Sequence, residues 1–253
     1  MSKILVLVKE IFDTESKIRL TQDQQLDETD MAYAFNISDE HALEEALRLK
    51  EETEQGQVII YAVARGSSVS ALKYLLAKGA DEVVLIPSDE RNPMRVAQLL
   101  ATAIEKEGDR DFDLLLAGIM GIDRNHAQVP GRLSQHFGVP LVTVAEKIEW
   151  AGDRVRCFRE SEGAQEMVDC LFPAVITMPR GSNTVRYPTA GSLIANRGRK
   201  IRVVELAEKD DKNREITTFS PPPPRPEAKM IDGQDPVGAA DRLINELKKD
   251  KVL

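Results

Sequence analysis

Short apolar runs alternate with amphipathic stretches through the first half of the chain. Lys3–Lys9, Gln57–Ala62, Glu82–Pro87 and Asp113–Ala117 are nearly unbroken apolar runs, as expected of strands buried on both faces of a parallel sheet. Between the first two, Asp39–Glu52 carries Ala42, Leu43, Ala46 and Leu47 on one helical face and acids on the other. Ser68–Lys78 reads as a helix closed by Gly79. Asn92 and Pro93 read as the N-cap and first residue of a helix bearing Val96, Leu99, Leu100 and Ile104. His126–Phe137 is the helix expected after the fourth strand. The polar segment Lys17–Asp30 is expected to be a loop or small hairpin inserted after the first strand.

This alternation predicts βαβ units and an α/β fold with helices on both faces of a mostly parallel, doubly wound, Rossmann-like sheet. After Pro140 the pattern changes. Leu141–Glu149 and Arg154–Glu160 flank Ala151-Gly152-Asp153, a hairpin signal, and Gln165–Leu171 and Ala174–Met178 add two short strands. These four predict an antiparallel appendage. A last strand is expected over Ile201–Leu206. Residues 1–206 thus form the α/β domain, and 207–253 an extended C-terminal arm. The arm begins with a stiff spacer at Pro221–Pro224 and Pro226. It ends in a helix over Pro236–Lys249 with Ala240, Leu243, Ile244 and Leu247 at helical spacing. That helix either docks on a partner or folds back on its own domain; both remain open.

Composition removes several function classes. The 253 residues carry 34 Lys+Arg against 42 Asp+Glu, a net charge of −8, which argues against a dedicated nucleic-acid binder. No stretch approaches the roughly 20 apolar residues that span a bilayer. The first apolar run is too short for a signal-peptide core. The two cysteines, Cys157 and Cys170, have no metal-ligand spacing, and a cytoplasmic location is expected.

A doubly wound sheet binds ligands beyond the carboxyl ends of its strands, so the loops after Val8, Ala62, Pro87 and Ala117 matter most. None carries a dinucleotide glycine fingerprint or a P-loop. The loop after the fourth strand has Gly118 and Gly121, then polar residues entering a helix whose free N–H groups suit a phosphate. Arg124 and Gln128 add hydrogen-bonding groups. An ordinary turn capped by Asp123 or Asn125 explains the same residues, and spacing alone leaves both readings open. Neither a nucleophile elbow nor a Cys–His pair is present, so no catalytic residue is assigned. His41 and His136 are expected to be packing or surface residues. Asp39 and Glu40 suit the positive end of the helix they open, and the pairs Glu44–Glu45 and Glu51–Glu52 a solvated face. Arg197, Arg199, Lys200 and Arg202 crowd behind Leu193 and Ile194; they form either a solvated loop or a contact for an acidic partner.

Several segments in fixed order resemble the β (small) subunit of electron transfer flavoproteins over nearly the whole chain. They are KILVLVKEIFDTESKIR at 3–19, NISDEHALEEALRLKE at 36–51, LAKGADEVVLI at 76–86 and GIMGIDRNHAQV at 118–129. RESEG at 159–163, LFPAVITMPRGSNTVRYPT at 171–189 and the proline-flanked arm complete the set.

The resemblance implies an electron-carrier subunit, not an enzyme by itself, that forms a heterodimer with an α subunit. FAD would be shared with that subunit, and an adenine nucleotide, AMP or a second FAD, held on this chain. A second FAD would make it an NADH-linked, electron-bifurcating oxidoreductase. Expected nucleotide contacts are Leu7, Asn36, Ile37, Ser38, Asp39 and Val63, together with Gly118, Ile119, Met120, Gly121, Ile122, Asp123, Arg124, Asn125, His126, Ala127, Gln128 and Val129. The loop 186–200, with Ala190, Leu193, Ile194, Arg197, Arg199 and Lys200, is where a partner dehydrogenase such as an acyl-CoA dehydrogenase would dock; a quinone oxidoreductase is a further possible acceptor. The pattern departs from the family where Ala190-Gly191 replaces a Leu-Pro pair, Asn36-Ile37-Ser38 an Asn-Pro-Phe, and Arg124-Asn125-His126 a more acidic run. The rival from another class is a stand-alone adenine-nucleotide-binding regulator of the stress-protein kind.

Overall fold

The computed structural model describes residues 2–53, 56–206, 219–225 and 227–253. The strands of its main sheet are β1 (Lys3–Leu7), β4 (Gln57–Ala64), β5 (Glu82–Pro87), β6 (Leu114–Gly118), β7 (Leu141–Val142), β11 (Ala174–Met178) and β12 (Arg202–Val203). Their spatial order is β12-β5-β4-β1-β6-β11-β7, and every pairing is parallel. Five of these strands are almost wholly buried, which is why they read as apolar runs with no alternation. The helices are α1 (Ile37–Thr53), α2 (Val69–Ala77), α3 (Pro93–Lys106) and α4 (Val129–Phe137). Leu43 and Leu47 of α1 and Leu72 and Leu76 of α2 pack on one face with Ile4, Val6 and Ile60. Leu100 and Ile104 of α3 and Leu133 of α4 pack on the other with Leu5, Tyr61 and Leu115. The sheet is therefore doubly wound.

Local signals account for the helix ends. Asn92 accepts the Met94 N–H at 2.9 Å and Pro93 follows it, so α3 begins where its cap stands. Gly138, left-handed at φ 68°, closes α4. A separate three-stranded antiparallel sheet, β8 (Lys147–Ala151), β9 (Arg154–Ser161) and β10 (Ala164–Leu171), lies against the α1 side. A small hairpin of β2 (Glu10–Phe12) and β3 (Tyr33–Phe35) interrupts the first βαβ crossover.

Four expectations need correcting. Ala174–Met178 is not part of the appendage but lies inside the parallel sheet between β6 and β7. The expected strand Leu141–Glu149 is two strands in two sheets, because the chain crosses from β7 to β8 around Val144, which is left-handed at φ 60°. The helix after β6 starts at Val129, not His126. Residues 186–200 contain a helix, α5 (Ala190–Arg197), started by Thr189 Oγ1 accepting the Ser192 N–H at 3.1 Å.

The described residues fall into two bodies. The larger comprises 2–19 with 27–206; the other comprises 20–26 with the described residues from 219 onward. Within the second, Leu20 bridges Leu26, and the Phe219 N–H donates to the Gln24 carbonyl at 3.2 Å. Helix α6 (Pro236–Lys249) belongs to this body and exposes Val237, Leu243 and Ile244. The start of the expected arm, 207–218, and Pro226 of its spacer lie outside the described residues. No helix among the described residues is long and apolar enough to cross a membrane.

Candidate functional site

Strand order reverses between β1 and β6: the chain runs from β1 outward to β4 and β5, then returns to β6 on the other side. The crevice beyond such a switch point is where doubly wound sheets place ligands. Here one buried carboxylate spans it. Asp39 Oδ2 accepts the Lys9 N–H at 2.8 Å, and Oδ1 accepts the Gly118 N–H at 3.0 Å. The Asn36 side-chain amide adds a third bond to Oδ1 at 2.9 Å. Asp39 thus ties the start of α1 to the ends of both switch-point strands, a larger task than the helix-end charge expected of it.

Burial pushes the Asp39 carboxyl up to about 7, against these hydrogen bonds and the Lys9 charge. The sign of the pH dependence follows. An unfolded aspartate titrates near ~3.9, so between about pH 4 and pH 7 the folded state holds this proton more tightly. Its contribution to stability therefore falls as pH rises through that window and stays flat above it. Asp39→Asn removes the titration. Relative to that variant, the wild type is expected to lose up to about 4 kcal/mol between pH 4 and pH 8, measured as denaturation midpoints across the range. Parallel curves for the two proteins would contradict the assignment.

Asn36 fastens the loop that follows β6. Its amide nitrogen donates to the Met120 carbonyl at 3.0 Å, and its oxygen accepts the Ile122 N–H at 3.3 Å. Lys9 pairs with Asp123 at 2.5 Å across the same turn. Asn125 and Ala127 are left-handed at φ 52° and 51°, a conformation that costs an alanine about 1–2 kcal/mol. Strain of this kind gathers where a loop is held for a ligand.

The resulting cleft is lined by Leu7, Asn36, Asp39 and Val63 and by Gly118, Ile119, Met120, Gly121, Asp123, Arg124, His126, Ala127, Gln128 and Val129. It spans about 1210 Å³ of non-atom space, open solvent at its mouth included. Four expected contacts do not line it. Ile37 is half-buried, Ser38 is buried, and Ile122 and Asn125 are exposed. The cleft offers a planar group an apolar wall of Leu7, Val63 and Ile119. It offers an anion the start of α4 and the Arg124 guanidinium, which donates to the Arg91 carbonyl at 3.2 Å.

Sequence reasoning missed the opposite wall, built from Phe12 and Tyr33 of the hairpin and from Arg65 and Arg91 after β4 and β5. An arginine within four residues of the end of each of two apolar runs is the available signal for those two. Phe12 and Tyr33 had none, because polar segments hide the hairpin.

The second candidate region is also built on helices. Ala190, Leu193, Ile194 and Arg197 lie on α5, with Arg199 and Lys200 just beyond it, and Ile194 is 77% exposed. Ser192 donates to the Ala77 carbonyl at 2.8 Å and Lys73 to that of Arg197 at 2.9 Å, fixing α5 on α2. The segment leading into it is fastened to α1. Asn183 pairs with the buried His41 at 2.9 Å, and Arg186 forks onto Glu44 and Glu51. Glu44 and Glu45 are therefore not a solvated face, since Glu45 is buried and Arg186 engages Glu44, whereas Glu51 and Glu52 are exposed as expected.

A doubly wound sheet with a cleft at the switch point and a small antiparallel sheet on one side defines the class as an α/β protein of the Rossmann-like kind. The family model of the electron transfer flavoprotein domain matches residues 24–221. The chain is 32% identical to the electron transfer flavoprotein subunit beta of Syntrophomonas wolfei over 97% of this chain and 96% of that one. It is 29% identical to the Bacillus subtilis subunit beta over 98% of each chain. It is likewise 29% identical to the acryloyl-CoA reductase electron transfer subunit gamma of Anaerotignum propionicum, over 99% and 100%. The chain belongs to the electron transfer flavoprotein family, among its β subunits, and its function is electron transfer.

Proposed function

We propose that the chain is the small subunit of a heterodimeric electron carrier. It pairs with an FAD-carrying α subunit, helps enclose that FAD, and holds an adenine nucleotide, AMP or a second FAD, in the switch-point cleft. It passes electrons between a dehydrogenase and an acceptor in the cytoplasm. The observation that carries the reading is the cleft between β1 and β6, with the start of α4 and Arg124 at one wall. The residues fit an adenine nucleotide: Leu7, Val63 and Ile119 suit the base, and the α4 terminus and Arg124 suit the phosphate. Bound flavin supplies the redox chemistry, and the protein positions it and sets its electrostatics. Helix α5 supports docking, since its exposed Leu193 and Ile194 sit beside Arg197, Arg199 and Lys200 and suit an acidic partner face. The relative named as a subunit of acryloyl-CoA reductase favours an acyl-CoA oxidoreductase as that partner.

The test is to co-express the chain with its large subunit, denature the purified complex and count the released nucleotides. Two adenine nucleotides per heterodimer are expected. One FAD with one AMP makes this a simple carrier; two FAD make it NADH-linked. A single FAD and nothing else overturns the cleft assignment.

A further inference from the structure

The hairpin that interrupts the first crossover covers one end of the cleft, and its two edges are held in different ways. Its root is part of the sheet: the Asn36 N–H donates to the Lys9 carbonyl at 3.0 Å, Lys9 is tied to Asp39, and Ile11 is buried. Its outer side is held by side chains. Phe12 and Tyr33 pair with ring centroids 5.1 Å apart, and the Arg65 guanidinium lies 3.5 Å over the Tyr33 ring. Glu28, in the segment between the hairpin strands, joins this edge to the sheet by accepting from Arg65 at 3.1 Å and from Arg91. Those arginines stand after β4 and β5, on the same wall of the cleft as Phe12 and Tyr33. Two strand ends and one carboxylate thus close the cleft on this side.

We propose that the outer part of the β2–β3 hairpin, Phe12 and Tyr33 with the segment carrying Glu28, is a lid over the cleft, and that Glu28 is its latch. The proposal rests on the reading of the cleft as a nucleotide site and adds how that site opens. Burial alone would raise the Glu28 carboxyl, but Arg91, Tyr33 and Arg65 hold it below its ordinary value. It therefore stays charged near neutrality, and salt, not acid, is the condition that loosens it.

A latch and a ligand contact differ kinetically. Weakening a latch raises the open population, so entry and release accelerate together while affinity changes little. Removing a contact accelerates release alone. The experiment uses the complex with the large subunit, depleted of the nucleotide on this chain, with radiolabelled AMP and, separately, FAD as probes. For Glu28→Gln, both rate constants for the probe that binds are expected to rise about five- to tenfold, as for loss of two partly exposed ion pairs, with Kd within about twofold. High salt is expected to accelerate the wild type toward the variant. Arg91→Gln is expected to act in the same direction, and the double variant to be less than the product of the two, which separates the latch from general destabilisation. Faster release alone, or unchanged rates, overturns the lid while leaving the nucleotide site standing. A wild-type complex that takes up neither probe overturns the nucleotide reading and the lid with it.

Discussion

Gly118→Ala is expected to destabilise the protein by about 3 kcal/mol, as overpacking a tight site commonly does. In a domain of this size that lowers Tm by roughly 6–12 °C. A Cβ at this position would stand 2.7 Å from the Ser38 Cβ and 2.8 Å from the Asp39 backbone nitrogen, and it would crowd the Asp39 carboxylate. Two of these obstacles belong to the first turn of a packed helix and cannot swing aside. The carboxylate is the group that joins β1 to β6, so the added methyl also threatens the Lys9 and Gly118 hydrogen bonds. Loss of the nucleotide from the complex is expected alongside the fall in Tm. Gly121→Ala is the informative comparison. Its Cβ would meet Asp123 Oδ1 at 2.7 Å and Lys9 Nζ at 2.8 Å, the tips of two side chains that can move. It is expected to cost less than about 1 kcal/mol, within the range of substitutions away from rigid features. Thermal melts and nucleotide counts on both variants check the ordering. Equal effects would mean that the loop, not the Asp39 bridge, is what glycine serves.

The contrast between these glycines shows what a sequence can carry. That the loop after the fourth strand holds a ligand site is legible, because an apolar run, glycines and a polar helix entry are local features. Which glycine is indispensable depends on Ser38 and Asp39, some 80 residues earlier, and no local pattern encodes that approach. The same division holds for the fold. Glu82–Pro87 is a strand from end to end as expected, since both its faces are buried. Ala174–Met178 is misplaced by reading it with its neighbours, although its unbroken burial differs from the alternation of β10 and carries the distinction. Helix α5 is missed because Gly191, Ser192 and Asn196 are poor helix formers; packing against α2 and a Thr189 cap outweigh them. The lid is missed because Glu28 lies far along the chain from Arg65 and Arg91, and only the folded hairpin brings them together.

The glutamates of α1 supply the second large effect. Adjacent acids on a helix point about 100° apart, so Glu44 and Glu45 cannot share one solvated face. Glu45 stands one turn from Ala42 and Leu49, which are both buried, and is itself 3% exposed. Its carboxylate accepts from Arg48 Nε at 3.2 Å, from the Ile148 N–H at 3.3 Å and from Asn183 at 3.3 Å. The Arg48 guanidinium in turn donates to the Ile148 carbonyl. One side chain therefore pins β8 and the segment leading to α5 onto the helix whose first turn builds the cleft. Glu45→Ala leaves these donors without their acceptor, and breaking a buried pair from one side costs about 3–5 kcal/mol. Arg48 retains access to water, so the lower end, about 3 kcal/mol, is expected. Glu52→Ala removes the exposed partner of the same arginine and is expected to cost no more than about 0.5 kcal/mol. Urea midpoints on the two variants measure the difference. Backbone amide exchange adds a local readout, with the Ile148 amide losing protection in Glu45→Ala and keeping it in Glu52→Ala. Similar midpoints for both would show that α1 holds the antiparallel sheet without Glu45, through its apolar contacts and through Trp150, whose ring nitrogen donates to the Leu49 carbonyl at 3.2 Å.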